Sequence, residues 1–183
     1  MELYFSVIVF IYGLLLGSFY NVVGYRMPNN LSIIHPGSFC PKCNHKLKWY
    51  ELIPVFSFLI QKGKCRKCGS SVSLFYPLIE LSTGVLFLIS YLVFGFSFEF
   101  FISIMTASFL VIVIVCDISY LIIPDEITIF FSILSIISQL IFKGWEIALS
   151  SCLFGVILFF AMYFIMFVGT KILKEEALGG GDV

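Results

Sequence analysis

The sequence predicts an all-α polytopic membrane protein, with about five transmembrane helices and one polar cysteine-rich insertion on the cytoplasmic side. Three observations carry this. Of the 183 residues, 60% are hydrophobic and 12% charged, against about a quarter charged in soluble domains. The apolar residues gather in five long runs, and a bilayer core about 30 Å thick takes roughly 20 residues of helix. The cations are concentrated as well: eight of the eleven lysines and arginines lie between Arg26 and Lys67, and positive loops stay in the cytoplasm. The net charge of +0 carries no information about acidic partners. The lipid bilayer is the expected surrounding, with no direct nucleic-acid partner.

The first element is the run Leu3–Val23. Glu2 precedes it, the first cation is Arg26, and no small-x-small site follows, so residues 1–25 read as a retained helix rather than a cleaved signal peptide. Residues 26–75 form the polar insertion, and residues 76–183 carry the remaining runs: Leu78–Phe94, Phe98–Cys116, Ile127–Phe142 and Ala148–Val168. The fourth run is short and holds Thr128, Ser132, Ser135, Ser138 and Gln139, which suits packing inside a bundle or a thinned bilayer. With the insertion inside, the N-terminus falls outside. Gly95–Ser97 and Lys143–Ile147 then fall outside, and Asp117–Glu126 and Gly169–Val183 inside.

Within the insertion stand Cys40-Pro-Lys-Cys43 and, after 21 intervening residues, Cys65-Arg-Lys-Cys68. Two C-x2-C pairs at this separation match a tetrathiolate zinc site, and the flanking Lys42, Lys64, Arg66 and Lys67 favour thiolates. The alternatives are disulfide or redox chemistry, two disulfides being disfavoured by a reducing cytoplasm, and a metal-free loop. Four sulfur ligands leave no open coordination position, so such a zinc is structural. His35 and His45 read as surface or supporting groups rather than ligands.

The chain has three aspartates, Asp117, Asp125 and Asp182, and the expected topology puts all three near the cytoplasmic surface. Singly, each reads as an interfacial or loop charge. Two carboxylates held together in a low dielectric share a proton: one activates water as general base, while its protonated partner polarises a carbonyl. Gly179, Gly180 and Gly181, just before Asp182, allow close backbone approach to a substrate. Other nucleophiles are poorly supplied. There is no G-x-S-x-G motif, and Cys116 and Cys152 lie in or beside apolar runs with no histidine near them in sequence, as structural thiols do.

These segments resemble the type 4 prepilin leader peptidases, which are bifunctional aspartyl proteases and N-methyltransferases. The resemblance runs through LGSFYNVVGYRMP (Leu16–Pro28), the cysteine pairs around ELIPVFSFL (Glu51–Leu59), YPLIELSTG (Tyr76–Gly84), DISYLIIPD (Asp117–Asp125) and GGGD (Gly179–Asp182). The last is similar to the G-x-G-D signature of intramembrane aspartyl proteases, and the whole looks most like the late-competence member. The resemblance implies catalysis by Asp117 and Asp182, with Asp125, Gly179 and Gly181 in support. It implies cleavage of prepilin or pseudopilin precursors after a glycine that ends a basic leader. It also implies methylation of the new amino end with S-adenosylmethionine, through residues that spacing does not name. Glu80 and Arg26 are polar candidates at the cytoplasmic rim, and Glu175 and Glu176 read as a leader-attracting pair or a solvated helix end. The family continues past the aspartate with a lysine and further helices, whereas this chain stops at Val183, so a fragment is expected. Two rival readings are a non-catalytic zinc-knuckle membrane adaptor of pilus, secretion or DNA-uptake assembly, and a small proton-coupled transporter. Transport fits less well, because the aspartates gather at one face rather than at the midplane.

Overall fold

The computed structural model describes residues 2–173. The chain divides into two compact units, Met1–Leu121 and Ile122–Val183. Among the described residues every long element is a helix, and five helices are long and apolar enough to cross a membrane.

The first unit holds α1 (Glu2–Arg26), a 3-10 turn (Met27–Asn29), the insertion with the short α2 (Phe56–Ile60), α3 (Phe75–Phe94) and α4 (Phe98–Tyr120). Glu2 and Arg26 sit in the first and last turns of α1, the arrangement that complements the helix dipole. Pro28 then ends the regular hydrogen bonding, and Asn30 closes the turn in the left-handed region (φ 54°). Ser97 caps α4 by accepting the Phe100 N–H at 3.2 Å. The helix runs one turn past the apolar segment, so Asp117 lies inside it rather than after it; intrahelical bonding continues until Leu121 turns left-handed (φ 53°) and donates to the Asp117 carbonyl at 2.8 Å.

Small residues let α1 and α3 meet at backbone distance. A Cβ added to Gly13 would stand 2.7 Å from the Gly84 Cα, and one on Gly17 would stand 2.8 Å from the Glu80 Cα. Two glycines four apart on one helix face are the close-packing device of membrane helices, where lipid offers no hydrophobic drive for association. Beside this seam Val9, Phe87, Tyr91, Phe100 and Ala107 form a buried cluster. Polar contacts join the helices too: Tyr20 donates to Ser108 Oγ at 2.7 Å, and the Ser90 and Ser103 hydroxyls lie 2.7 Å apart. Cys116 is fully buried, as expected for a structural thiol.

The second unit holds α5 (Asp125–Lys143) and α6 (Trp145–Leu173), joined at Gly144 (φ 87°). Pro124 precedes α5, whose first turn carries Asp125 and Glu126. Of the polar residues of the fourth run, Gln139 reaches α6 and Thr128 and Ser132 are exposed. Ser151 on α6 donates to Gln139 Oε1 at 2.5 Å, and Gln139 Nε2 donates to Ser135 Oγ at 3.2 Å.

Candidate functional site

The insertion is built on two knuckles with one hydrogen-bond pattern. Cys40 N–H donates to the His45 carbonyl and Asn44 N–H to the Cys40 carbonyl, each at 2.9 Å. In the second knuckle Cys65 N–H donates to the Ser70 carbonyl at 2.8 Å and Gly69 N–H to the Cys65 carbonyl at 2.9 Å. Asn44 (φ 53°) and Gly69 (φ 70°) occupy equivalent left-handed positions. Such turns aim the two sulfurs of each pair the same way, and all four come within 4.8 Å of one another. The Cys40–Cys68 and Cys43–Cys65 sulfurs are each 3.9 Å apart. A tetrahedral zinc with bonds of about 2.3 Å would set its sulfurs roughly 3.8 Å apart, whereas a disulfide needs about 2.05 Å. The geometry fits a four-sulfur metal site.

Local dipoles divide the thiols. Backbone N–H groups of Cys43 and Lys42 bring Cys40 down to about 6, assisted by the Ser70 hydroxyl. At Cys43 the His45 N–H acts downward, but burial and the neighbouring sulfurs push the thiol up to about 11. The Ser70 hydroxyl and N–H lower Cys68. His45 supplies no ligand to the cluster; its Nε2 lies 3.3 Å from Glu51 Oε2. Glu51 is buried, accepts the Lys48 N–H at 2.9 Å and is held below the usual carboxylate range by that bond first and His45 second.

A second polar anchor ties the insertion to the helices. Pro54–Phe56 forms a γ-turn, with Phe56 N–H donating to the Pro54 carbonyl at 2.6 Å. Its central Val55 adopts φ 62°, ψ −52°, the rare strained form of this turn and a costly one for a β-branched residue. The Val55 N–H is held by buried Glu80 Oε2 at 2.7 Å. Glu80 therefore holds backbone rather than a cation. Arg26 likewise turns to backbone, donating to the Ser32 carbonyl at 2.9 Å.

The aspartates divide between the units. Asp117 is exposed on α4, in the first unit, and Asp125 is exposed at the start of α5, in the second. Val111, Ile112, Val115 and Cys116 form the buried face of α4. At about 100° per residue, Asp117 projects from nearly the opposite side. Asp182, Gly179, Gly180, Gly181, Glu175 and Glu176 lie outside the described residues.

Sequence reasoning missed the part played by Asn21. It is a lone amide in an apolar run, 5% exposed, whose Nδ2 donates to the Tyr76 carbonyl at 3.3 Å. It lines a small open pocket with Tyr25, Ser73, Phe75, Tyr76 and Ser119. The signal was available, since an amide inside a membrane span has to find partners.

Comparison with known proteins covers nearly the whole chain. Residues 11–94 match the family model "Bacterial Peptidase A24 N-terminal domain", and residues 104–183 match "Type IV leader peptidase family". A Bacillus subtilis protein named prepilin leader peptidase/N-methyltransferase is 43% identical over 178 residues, covering 96% of this chain and 68% of the relative. A Myxococcus xanthus protein of the same name is 39% identical over 179 residues, covering 97% of this chain but only 53% of the relative. One from Klebsiella pneumoniae is 30% identical over 181 residues, covering 95% and 78%. No solved structure matches the chain.

Proposed function

The chain belongs to the type IV leader peptidase family, and from that premise we propose that it is a membrane-embedded aspartic endopeptidase that removes the basic leader of type IV pilin-like precursors after a glycine and then N-methylates the new terminus. The observation that carries this is the 43% identity over 96% of the chain to a protein named for both activities. The physical setting agrees. A pilin-type precursor keeps its basic leader in the cytoplasm and its apolar segment in the bilayer, so the bond to be cut lies at the inner surface. In the proposed topology, with the N-terminus outside and the insertion inside, the Asp117 end of α4 is at that surface.

Asp117 and Asp182 are the proposed catalytic pair. One carboxylate takes a proton from water as it attacks the scissile carbonyl, and the other, protonated, hydrogen-bonds the carbonyl oxygen as charge develops there. Asp125, Gly179 and Gly181 support the pair. Asp117's place on the uncovered side of α4 leaves its carboxylate accessible to a substrate. Residues 1–25, 26–75 and 76–183 are the proposed divisions: first helix, zinc-bearing methyltransferase-associated insertion and peptidase region. Cys40, Cys43, Cys65 and Cys68 are the proposed ligands of one structural zinc, which fixes the insertion's fold. S-adenosylmethionine, when bound, supplies the methyl group.

The test is co-expression of the full chain with a precursor whose leader ends in glycine before phenylalanine, followed by mass spectrometry of the product. Loss of the leader with gain of one methyl group is expected. An unprocessed precursor would favour the non-catalytic adaptor.

A further inference from the structure

The insertion turns an apolar face outward. In the short α2, Phe56, Leu59 and Ile60 stand at i, i+3 and i+4, one side of a helix, and are 60%, 63% and 68% exposed. Phe58, half-buried, lies on the covered side, where a Cβ on Gly63 would come within 2.9 Å of its ring. Trp49, Leu52 and Ile53 are exposed just before the helix. A domain surrounded by water hides such a face, so this one marks a contact.

Its depth identifies the contact. Val55 precedes α2 and takes its strained conformation where its N–H meets Glu80. Glu80 lies five residues into α3, and its Cα faces Gly17, nine residues before the end of α1. At about 1.5 Å per residue these points lie about 7 Å inside α3 and about 13 Å inside α1. Helical side chains lean toward the helix start, so α2 begins beside the first turns of a spanning helix rather than above it. The apolar run Leu52–Ile60 is far shorter than the roughly 20 residues that cross a bilayer. A short apolar segment at this depth fits the membrane boundary.

Charge completes the assignment. Between Glu2 and Glu80 the sole carboxylate is Glu51, which is buried and accepts the Lys48 N–H. Exposed Lys62 and Lys64 follow α2 directly, with no acidic neighbour in sequence. A basic leader would be repelled here, whereas an anionic lipid surface would be held. The same turn runs into the second knuckle, where the Val72 N–H donates to the Gly63 carbonyl at 2.8 Å.

We propose that residues 52–64 are an interfacial anchor. The Phe56, Leu59 and Ile60 face lies in the headgroup–acyl boundary of the adjoining leaflet, and Lys62 and Lys64 meet anionic lipid headgroups. The anchor holds the cysteine knuckles against the bilayer surface. It needs the membrane but neither the zinc nor the aspartates, so its test is independent of leader cleavage.

The experiment places a fluorescent reporter, Ile60→Trp, in the full chain carrying Trp49→Phe and Trp145→Phe, all three at exposed positions. Nanodiscs holding one chain each are made of phosphatidylcholine, alone or mixed with phosphatidylglycerol, with and without bromine high on the acyl chains. A face sunk about 5–10 Å into the boundary brings the reporter to the bromines, so emission should fall about twofold or more. Phosphatidylglycerol should deepen the quenching, and Lys62→Gln with Lys64→Gln should abolish that increment. Phe56→Ser with Leu59→Ser should lift most of the quenching in either lipid. Amide exchange of wild-type residues 56–64, expected to slow when phosphatidylglycerol is present, checks that the reporter has not itself drawn the segment in. Unquenched emission in both lipids overturns the inference, whether the indole is bathed in water or covered by the chain itself. Quenching indifferent to phosphatidylglycerol or to either double substitution overturns it as well, as does wild-type exchange that is the same in both lipids. A spectral shift that appears only when a second copy or a precursor is added also overturns it.

Discussion

Glu80 Oε2 accepts the Val55 N–H at 2.7 Å, so a buried carboxyl on a membrane helix holds the strained turn through which the insertion folds back on α3. Replacing that acceptor leaves a backbone N–H without its partner, at a cost of about 1–3 kcal/mol. Glu80→Leu is expected to loosen residues 54–60, read as faster amide hydrogen exchange there. Glu80→Gln, which keeps an oxygen, should stay near wild type. Val55→Gly should relieve the left-handed backbone and stabilise the turn by about 1 kcal/mol.

For the aspartates, Asp117→Ala and Asp182→Ala are each expected to lower leader removal by at least about 100-fold, followed as precursor mass over time. Asp125→Asn should retain part of the activity. Full cleavage by the Asp117 variant would remove the dyad from the mechanism.

The cysteine cluster is expected to hold one zinc per chain by elemental analysis, and Cys40→Ser to lose it. Dialysis against a chelator should leave the helical circular dichroism largely intact while exposing residues 38–71 to protease, because the metal's binding energy is the insertion's folding energy.

Glu51 gives the insertion a pH dependence of defined sign. Its carboxylate is held below its ordinary value of 4.5 by the Lys48 N–H and His45. The stability it contributes is therefore complete above about 4.5 and is lost as pH falls through the lower folded value. Protease resistance of the insertion, measured from pH 6 downward, should decline in this window, and Glu51→Gln should flatten the decline.

One substitution should have opposite signs at two glycines. Gly13→Ala places a methyl 2.7 Å from the Gly84 Cα and should destabilise the α1–α3 pair by about 1–3 kcal/mol. Gly155→Ala on α6, where nothing lies within 4 Å, should stabilise its helix by about 0.5–1 kcal/mol. Thermal unfolding in one detergent compares them.

Much of this fold was legible because lipid permits so few alternatives. Continuous apolar runs must become helices when backbone groups have no water to bond, and paired C-x2-C turns bring four sulfurs together almost irrespective of their flanking residues. Helix ends were less legible. Asp117 marks where the apolar run stops but not where α4 stops, since the main chain keeps its hydrogen bonds until Leu121 turns. Glu80 was read incompletely, and the partner of Asn21 was missed, for a different reason. Their partners, the Val55 N–H and the Tyr76 carbonyl, are backbone groups distant in sequence, and side-chain patterns carry no trace of them. Cleavage was inferred from resemblance and relatives, because nothing in the local sequence around Asp182 joins it to Asp117, the other member of the proposed pair.

The glycine seam reaches further than the two helices it joins. With α1 and α3 locked side by side, and Asn21 bonded to Tyr76 near the point where they part, both stems of the intervening segment are anchored by the helices themselves. Most of the entropy of drawing together the ends of a long excursion has then been spent by the membrane-embedded part. The cysteine turns need only find one another within a tethered volume. Such an excursion can tolerate changes in length and composition between its stems, so long as the seam beneath it is left alone.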